Sequence, residues 1–328
     1  MKLTRSVQAL GVAIGMFCMA ATAHASSYPD KPVRLVVGFS PGSTIDTVAR
    51  IIGDGLSKRL NQPFVIDNRA GANGMIAARA VASAQPDGHT LLVSNSSSIT
   101  VNPLLYDDLG YDPLTDYEPI TTVVSVPFVL TINPDNPRMK GVNSVHDLVK
   151  LAREKPEEVS YGSAGNGNLM HLAGAQLAAM SDTEMLHVPY KGAAPMQAAL
   201  LSKEIDFGFD TLAGVPLMKS GKLKPLAISA SEPWRDLPGV PTVAAAGFDG
   251  FDVSFWVGTF VPKGTPPEIV ATLNEAIAAV SQDPEIQQRL MLQGNVLNMS
   301  PAEFRQKIEH ELKQNEDLIK KANIKIGN

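Results

Sequence analysis

The chain has 328 residues, 44% of them hydrophobic and 19% charged, with a formal net charge of −5. That balance excludes the basic footprint of a nucleic-acid-binding protein and requires any bound anion to be held by local groups, since the global field repels it. A chain of this length buries enough surface to fold without disulfides and favours division into two domains.

Lys2 and Arg5 open the chain, an apolar stretch from Val7 to Ala21 follows, and Ala23-His24-Ala25 reads as a small-x-small cleavage site before Ser26. The expectation is a signal peptide over residues 1–25 and release into the periplasm. No later stretch approaches the roughly 20 apolar residues that span a bilayer. The single cysteine, Cys18, lies within the signal, and its context Gly15-Met16-Phe17 is unlike that of a lipid-anchored precursor.

Strand-like and helix-like segments then alternate, the pattern of an α/β protein with parallel sheets. Val33 to Phe39 reads as a strand, Ile45 to Leu60 as a helix, Phe64 to Ile66 as a strand, Met75 to Ala84 as a helix and Thr90 to Val93 as a strand. A middle region runs from strand Phe128–Ile132 through helices Val145–Arg153, Leu169–Met180 and Pro195–Leu201. Its other strands are Val159–Tyr161, Glu184–Val188, Ile205–Phe209 and Pro225–Ser229. Strand Phe255–Val261 and helices Pro267–Ser281, Pro284–Leu292 and Pro301–Ala322 close the chain, the last with a charged, solvated face. Extended passages near Thr121–Thr131 and Val253–Val261 read as two crossings. They divide the chain into one domain of residues 26–124 plus 254–328 and another of 125–253.

Gly38-Phe39-Ser40-Pro41-Gly42 matches the G-x-S-x-G pattern of a serine-hydrolase elbow. The residue after that serine must donate its N–H to an oxyanion, and Pro41 has none, so the hydrolase reading through Ser40 is the weaker one. The segment makes better sense as an anion cradle: a strand ends, Ser43 and Thr44 add hydroxyls, and the exposed N–H groups of a helix start favour a carboxylate or phosphate. Asp46 in the first turn reads as a cap for loop N–H groups. An ordinary capped turn explains the position equally well.

Gly162-Ser163-Ala164-Gly165-Asn166-Gly167-Asn168 is a second such loop, lacking the lysine of a P-loop and the G-x-G-x-x-G of a dinucleotide site. Ser94 and Ser96, after a strand, and Asp210, at a strand's carboxyl end, are further candidates; a plain polar loop and a helix cap are their bland alternatives. The histidines lack metal-ligand spacing, and His171 reads as a packing or hydrogen-bonding residue. No cofactor, metal or nucleic acid is expected.

Together, Phe39-Ser40-Pro41-Gly42-Ser43-Thr44-Ile45-Asp46 with Ala49-Arg50, then Asp67-Asn68-Arg69-Ala70-Gly71, Pro86-Asp87-Gly88-His89, His171-Leu172, Val188-Pro189-Tyr190-Lys191-Gly192, Leu237-Pro238-Gly239-Val240-Pro241 and Val261-Pro262-Lys263-Gly264 resemble the Bug-type extracytoplasmic solute receptors of tripartite tricarboxylate transporters. The resemblance implies a two-domain periplasmic-binding-protein clamshell, type II-like, with two crossover hinge segments. It implies a non-enzymatic monomer that captures a small carboxylate for membrane transporter subunits, or as an adaptor for a sensor protein. By resemblance the ligand is gripped by Phe39, Ser40, Gly42, Ser43 and Thr44 and by Ser163, Ala164, Gly165, Asn166 and Asn168, with Ser94, Ser96 and Asp210 around them. Ser43 stands where many members carry glycine, and Asn166-Gly167-Asn168 is not the commonest second loop, so the ligand cannot be copied from a relative.

Overall fold

Short β-branched runs and amphipathic helices build two mixed sheets in the computed structural model, which describes residues 28–321. The expected signal peptide 1–25, its cleavage point and Cys18 lie outside the described residues.

In chain order, β1 (Val33–Val37), α1 (Thr44–Leu60), β2 (Phe64–Asn68), α2 (Met75–Ala82), β3 (Thr90–Asn95), α3 (Asn102–Leu105) and β4 (Tyr117–Pro127) begin the first sheet. The second is built from β5 (Val129–Ile132), α4 (Val145–Glu154), β6 (Ser160–Ser163), α5 (Leu169–Ser181), β7 (Leu186–Pro189), α6 (Ala193–Ser202), β8 (Phe207–Asp210), α7 (Val215–Lys219) and β9 (Lys224–Ile228). The chain then returns to the first sheet with β10 (Ser254–Pro262), α8 (Pro267–Gln282), α9 (Pro284–Met291), β11 (Asn295–Val296) and α10 (Pro301–Lys321).

The first sheet has the order β11-β4-β10-β3-β1-β2 and the second β7-β6-β8-β5-β9. Parallel pairing holds for β1 with β2 and β3, and for β6 with β7 and β8. The expectation of parallel sheets is corrected at the strands next to the crossings. β10 runs antiparallel to β3 and β4, and β5 antiparallel to β8 and β9. β5 and β10 enter their sheets from the other sheet, so no βαβ crossover constrains them to run parallel to their neighbours.

The crossings meet at one residue. β4 ends at Pro127 and β5 begins at Val129, and the return path leaves β9 at Ile228. The Phe128 N–H donates to Ser229 Oγ (2.8 Å), and the Ser229 hydroxyl donates to the Val253 carbonyl. The Ser229 N–H donates to Phe128 O and the Val253 N–H to Ser229 O, each at 2.9 Å. One buried serine thus ties both passages together.

Helix α1 shows how the local sequence sets an element that positions the site. Ser43 caps it by accepting the Asp46 N–H, Ile45, Val48, Ile51, Ile52 and Leu56 form its buried face, and Asn61 ends it in the left-handed region at φ 51°. Helix α10 keeps the charged, solvated face read from the sequence, with Glu303, Glu309, Lys313 and Glu316 exposed, and buries the opposite one. Phe304 and Ile308 are buried with Trp256, Phe260 and Tyr117, and a Cβ on Gly258 would lie 2.5 Å from the Phe304 ring. Glu311 faces inward, accepting from Trp256 Nε1 (2.9 and 3.1 Å) and Thr100 Oγ1 (3.3 Å) while pairing with Lys307 (2.8 Å).

Candidate functional site

Parallel pairing puts the carboxyl ends of β1, β2 and β3 on one edge of the first sheet and those of β6, β7 and β8 on one edge of the second. Ligands of open α/β sheets bind at such edges. Both predicted loops and all the other candidates leave from them.

At the first edge, Asp46 organises the loop. Its carboxylate accepts the Gly42 N–H (2.9 Å), two bonds from Arg50 (2.9 and 3.0 Å) and one from Asn68 Nδ2 (2.8 Å), which also donates to Phe39 O (3.1 Å). Burial would push the Asp46 carboxyl up, but the Arg50, Gly42 and Asn68 bonds outweigh it and hold its pKa below the ordinary value. Gly42 adopts φ +83°, open to glycine without strain. A Cβ on Gly38 would lie 2.8 Å from Gly74 Cα, so two backbones touch there. Gly42 N–H and the Ser43 hydroxyl are thus committed to the loop, which presents Ser40 and Gly42 to solvent with Phe39 and Thr44 half-buried. The N–H groups of Thr44 and Ile45, heading α1, have no acceptor among the described residues.

Ser94 to Ser98 are all buried, against the reading of a polar loop. Ser94 and Asn95 still belong to β3, and Ser97–Val101 coils into a π-helical turn, a form frequent at functional sites. Neighbours hold the turn. Ser98 Oγ donates to Asn73 O (2.8 Å), the Tyr111 hydroxyl donates to Ser98 O, and Asn315 Nδ2 of α10 donates to Thr100 O (3.0 Å). The hydroxyls of Ser94 and Ser96 are buried without a partner among the described residues.

At the second edge, Asn168 caps α5 by accepting the Met170 N–H (2.9 Å). Ser163 is fully buried, its hydroxyl facing into the loop. It donates to Gly165 O (2.9 Å), accepts the Gly165 N–H (3.2 Å) and lies 2.7 Å from His187 Nε2. The loop turns Ala164 and Gly165 partly outward and leaves Asn166 exposed. Asp210 is fully buried; Gln197 Nε2 and the Thr211 N–H each donate to it at 2.8 Å, and burial pushes its pKa up to about 6.

The sheets also share a cleft of about 490 Å³, where Ser96 meets Leu169 and Leu172 of α5, Val253 and Ser254 of the return passage, and Glu311 of α10. Of the predicted site residues only Ser96 lines it. Sequence reasoning missed Asn68, His187 and Ser229, whose partners lie far along the chain; Asn68 had a signal in the quoted Asp67-Asn68-Arg69 motif.

The model of the tripartite tricarboxylate transporter family receptor, TctC, matches residues 48–324. The chain belongs to this family. Three solved structures of similar proteins agree. The R. palustris protein Rpa4515 with adipate is 36% identical, with a TM-score of 0.81 over 91% of this chain and 99% of its own. The periplasmic binding protein BugD is 34% identical, with a TM-score of 0.77 over 91% and 99%. MatC (Rpa3494) from Rhodopseudomonas palustris, with bound malate, is 32% identical, with a TM-score of 0.76 over 89% and 100%. The resemblance to Bug-type receptors and the two-domain clamshell fold read from the sequence therefore hold. This TctC-family receptor is a solute-binding protein of a periplasmic family and not an enzyme. The Ser40 hydrolase reading falls with that result.

Proposed function

We propose that this TctC-family receptor captures a small carboxylate between the loops Phe39–Thr44 and Ser163–Asn168 and delivers it to a tripartite transporter in the membrane. The observation that carries the reading is the pair of buried hydroxyls on Ser94 and Ser96, without partners among the described residues, at the same sheet edge as a helix start whose first N–H groups lack acceptors there. Buried polar groups in native proteins have partners, and a carboxylate with its water supplies acceptors for such donors. Neutral donors would do the gripping, which suits an acidic chain.

In this reading each sheet is the core of one lobe, residues 26–124 plus 254–328 and residues 125–253, and the lobes hinge where Ser229 ties the crossings. The bonds among Phe128, Ser229 and Val253 support that division. Ligand contacts to both lobes in the closed state drive closure. Adipate and malate in the similar structures make dicarboxylates the first class to test. The mature receptor begins at Ser26, in the periplasm, and works as a monomer.

The test is thermal unfolding of residues 26–328 with adipate, malate and other acids, each beside its methyl ester. A ligand at a hundred times its Kd adds about 2.7 kcal/mol to the native state, a midpoint rise of several degrees for a protein of this size. A shift with an acid and none with its ester is expected, because buried donors left without the anion are unsatisfied. Equal shifts with both, or none across the panel, would contradict a carboxylate grip.

A further inference from the structure

We propose that the stacked imidazoles of His171 and His187 are positioning residues for the second loop, holding its binding shape only while the His171 ring is neutral. The proposal rests on the reading of that loop as half of the carboxylate grip.

His171 lies in the first turn of α5 and His187 in the edge strand β7, yet their ring centroids are 3.6 Å apart with planes within 5°. Each ring holds a different part of the loop. The Gly167 N–H donates to His171 Nδ1 (3.1 Å), and Ser163 Oγ lies 2.7 Å from His187 Nε2. Ser163 in turn bonds both the N–H and the carbonyl of Gly165. Residues 163, 165 and 167 therefore all hang on the ring pair. Tyr161 of β6 packs against both rings, at 5.1 Å from His187 and 6.2 Å from His171, and Phe207 of β8 stacks on Tyr161 at 5.5 Å.

An imidazole that accepts at Nδ1 is neutral and carries its proton on Nε2. Protonation would turn Nδ1 into a donor facing the Gly167 N–H, and that bond would break. Two stacked cations would also repel at contact distance. Burial lowers the His171 pKa to about 4, and burial together with His171 lowers that of His187 to about 3. Tyr161, the titratable group in ring contact with the pair among the described residues, is pushed up by burial and stays neutral; Phe207 brings no charge. Both rings are neutral at pH 7; protonation of His171 releases the Gly167 N–H, whereas Ser163 already donates to Gly165 O, so His187 donates to Ser163 Oγ and that bond survives a charge on either ring.

The experiment is NMR of residues 26–328 labelled with ¹⁵N, without any added ligand. It reads the ring nitrogens of His171 and His187 and the exchange of the Gly167 amide, corrected for its intrinsic pH dependence. The expected result is an Nε2–H tautomer for His171, both rings neutral down to pH 5, and Gly167 exchange accelerating about tenfold as His171 takes a proton, the size of one modest hydrogen bond. His171→Asn, with a carbonyl oxygen near the position of Nδ1, should keep Gly167 protected and remove the pH response. His171→Phe should keep the stack and lose the protection at every pH. A charged His171 at pH 6, an Nδ1–H tautomer, or Gly167 exchange equal in wild type and His171→Phe would overturn the proposal. The wild-type tautomer decides the matter even if a variant does not fold. No ligand takes part, so failure here leaves the carboxylate reading untouched, and failure of that reading leaves this result interpretable.

Discussion

Asp46→Ala is expected to lower affinity for the acid found by thermal unfolding about a hundredfold and to destabilise the protein by about 2–4 kcal/mol. Asp46 is buried and satisfies Gly42, Arg50 and Asn68 at once. Removing it frees the Gly42 N–H, unpairs Arg50 and loosens Asn68, which also fixes Phe39 O. Loss of one partner from a buried charge pair costs about 3–5 kcal/mol. Arg50 keeps much of its exposure and can be rehydrated, which brings the cost down to about 2–4 kcal/mol. Asp46→Asn cannot receive both Arg50 bonds and should fall between alanine and wild type. The native pKa of Asp46 is depressed, so its contribution is complete above about pH 4 and is lost as the pH falls below that. Titration calorimetry and urea unfolding read the two effects. Wild-type affinity in Asp46→Ala would remove the first loop from the site.

Asp210→Asn should act in the opposite direction on stability. The buried carboxyl has its pKa raised to about 6, so its ionised form is disfavoured in the fold. Below about pH 4 the side chain is neutral folded or unfolded and costs nothing; the penalty grows as the pH rises towards 6 and is complete above it. A displacement of roughly two pKa units corresponds to a penalty on the order of 3 kcal/mol. The asparagine variant should therefore be more stable than wild type at pH 7.5, with the gap closing by pH 4. Comparing the two at each pH removes the histidine contribution, which both share. A gap that does not change with pH would contradict a buried, reluctantly ionised Asp210. If this carboxylate also touches ligand, affinity should fall in the same variant although the fold is stronger.

The sequence made the βα loops visible because glycine, serine and asparagine clustered where a β-branched run met an amphipathic helix. Asp46 was legible as a cap, and it does accept the Gly42 N–H. The family resemblance rested on motifs spread over the chain. What stayed hidden was nonlocal. Ser94 to Ser98 look like a solvent loop by composition, but partners such as Asn73 and Tyr111 bury them. His187 meets Ser163 only because β7 lies beside β6 in parallel register, with Tyr161 opposite His187. Glu311 looks like surface charge until Trp256 and Thr100 are placed beside it. Ser229 gave no local sign of tying Phe128 to Val253. Sheet sense was misread because strand-helix alternation does not reveal that a strand has come from another sheet.

In the proposed function one carboxylate engages both loops at the same time. Amide hydrogen exchange of residues 26–328, with and without the selected acid, tests it directly. Segments 38–46 and 162–169 are expected to slow together with one saturation curve at one ligand per chain. Protection confined to one of the two segments, or found only along α5 and α10, would contradict it.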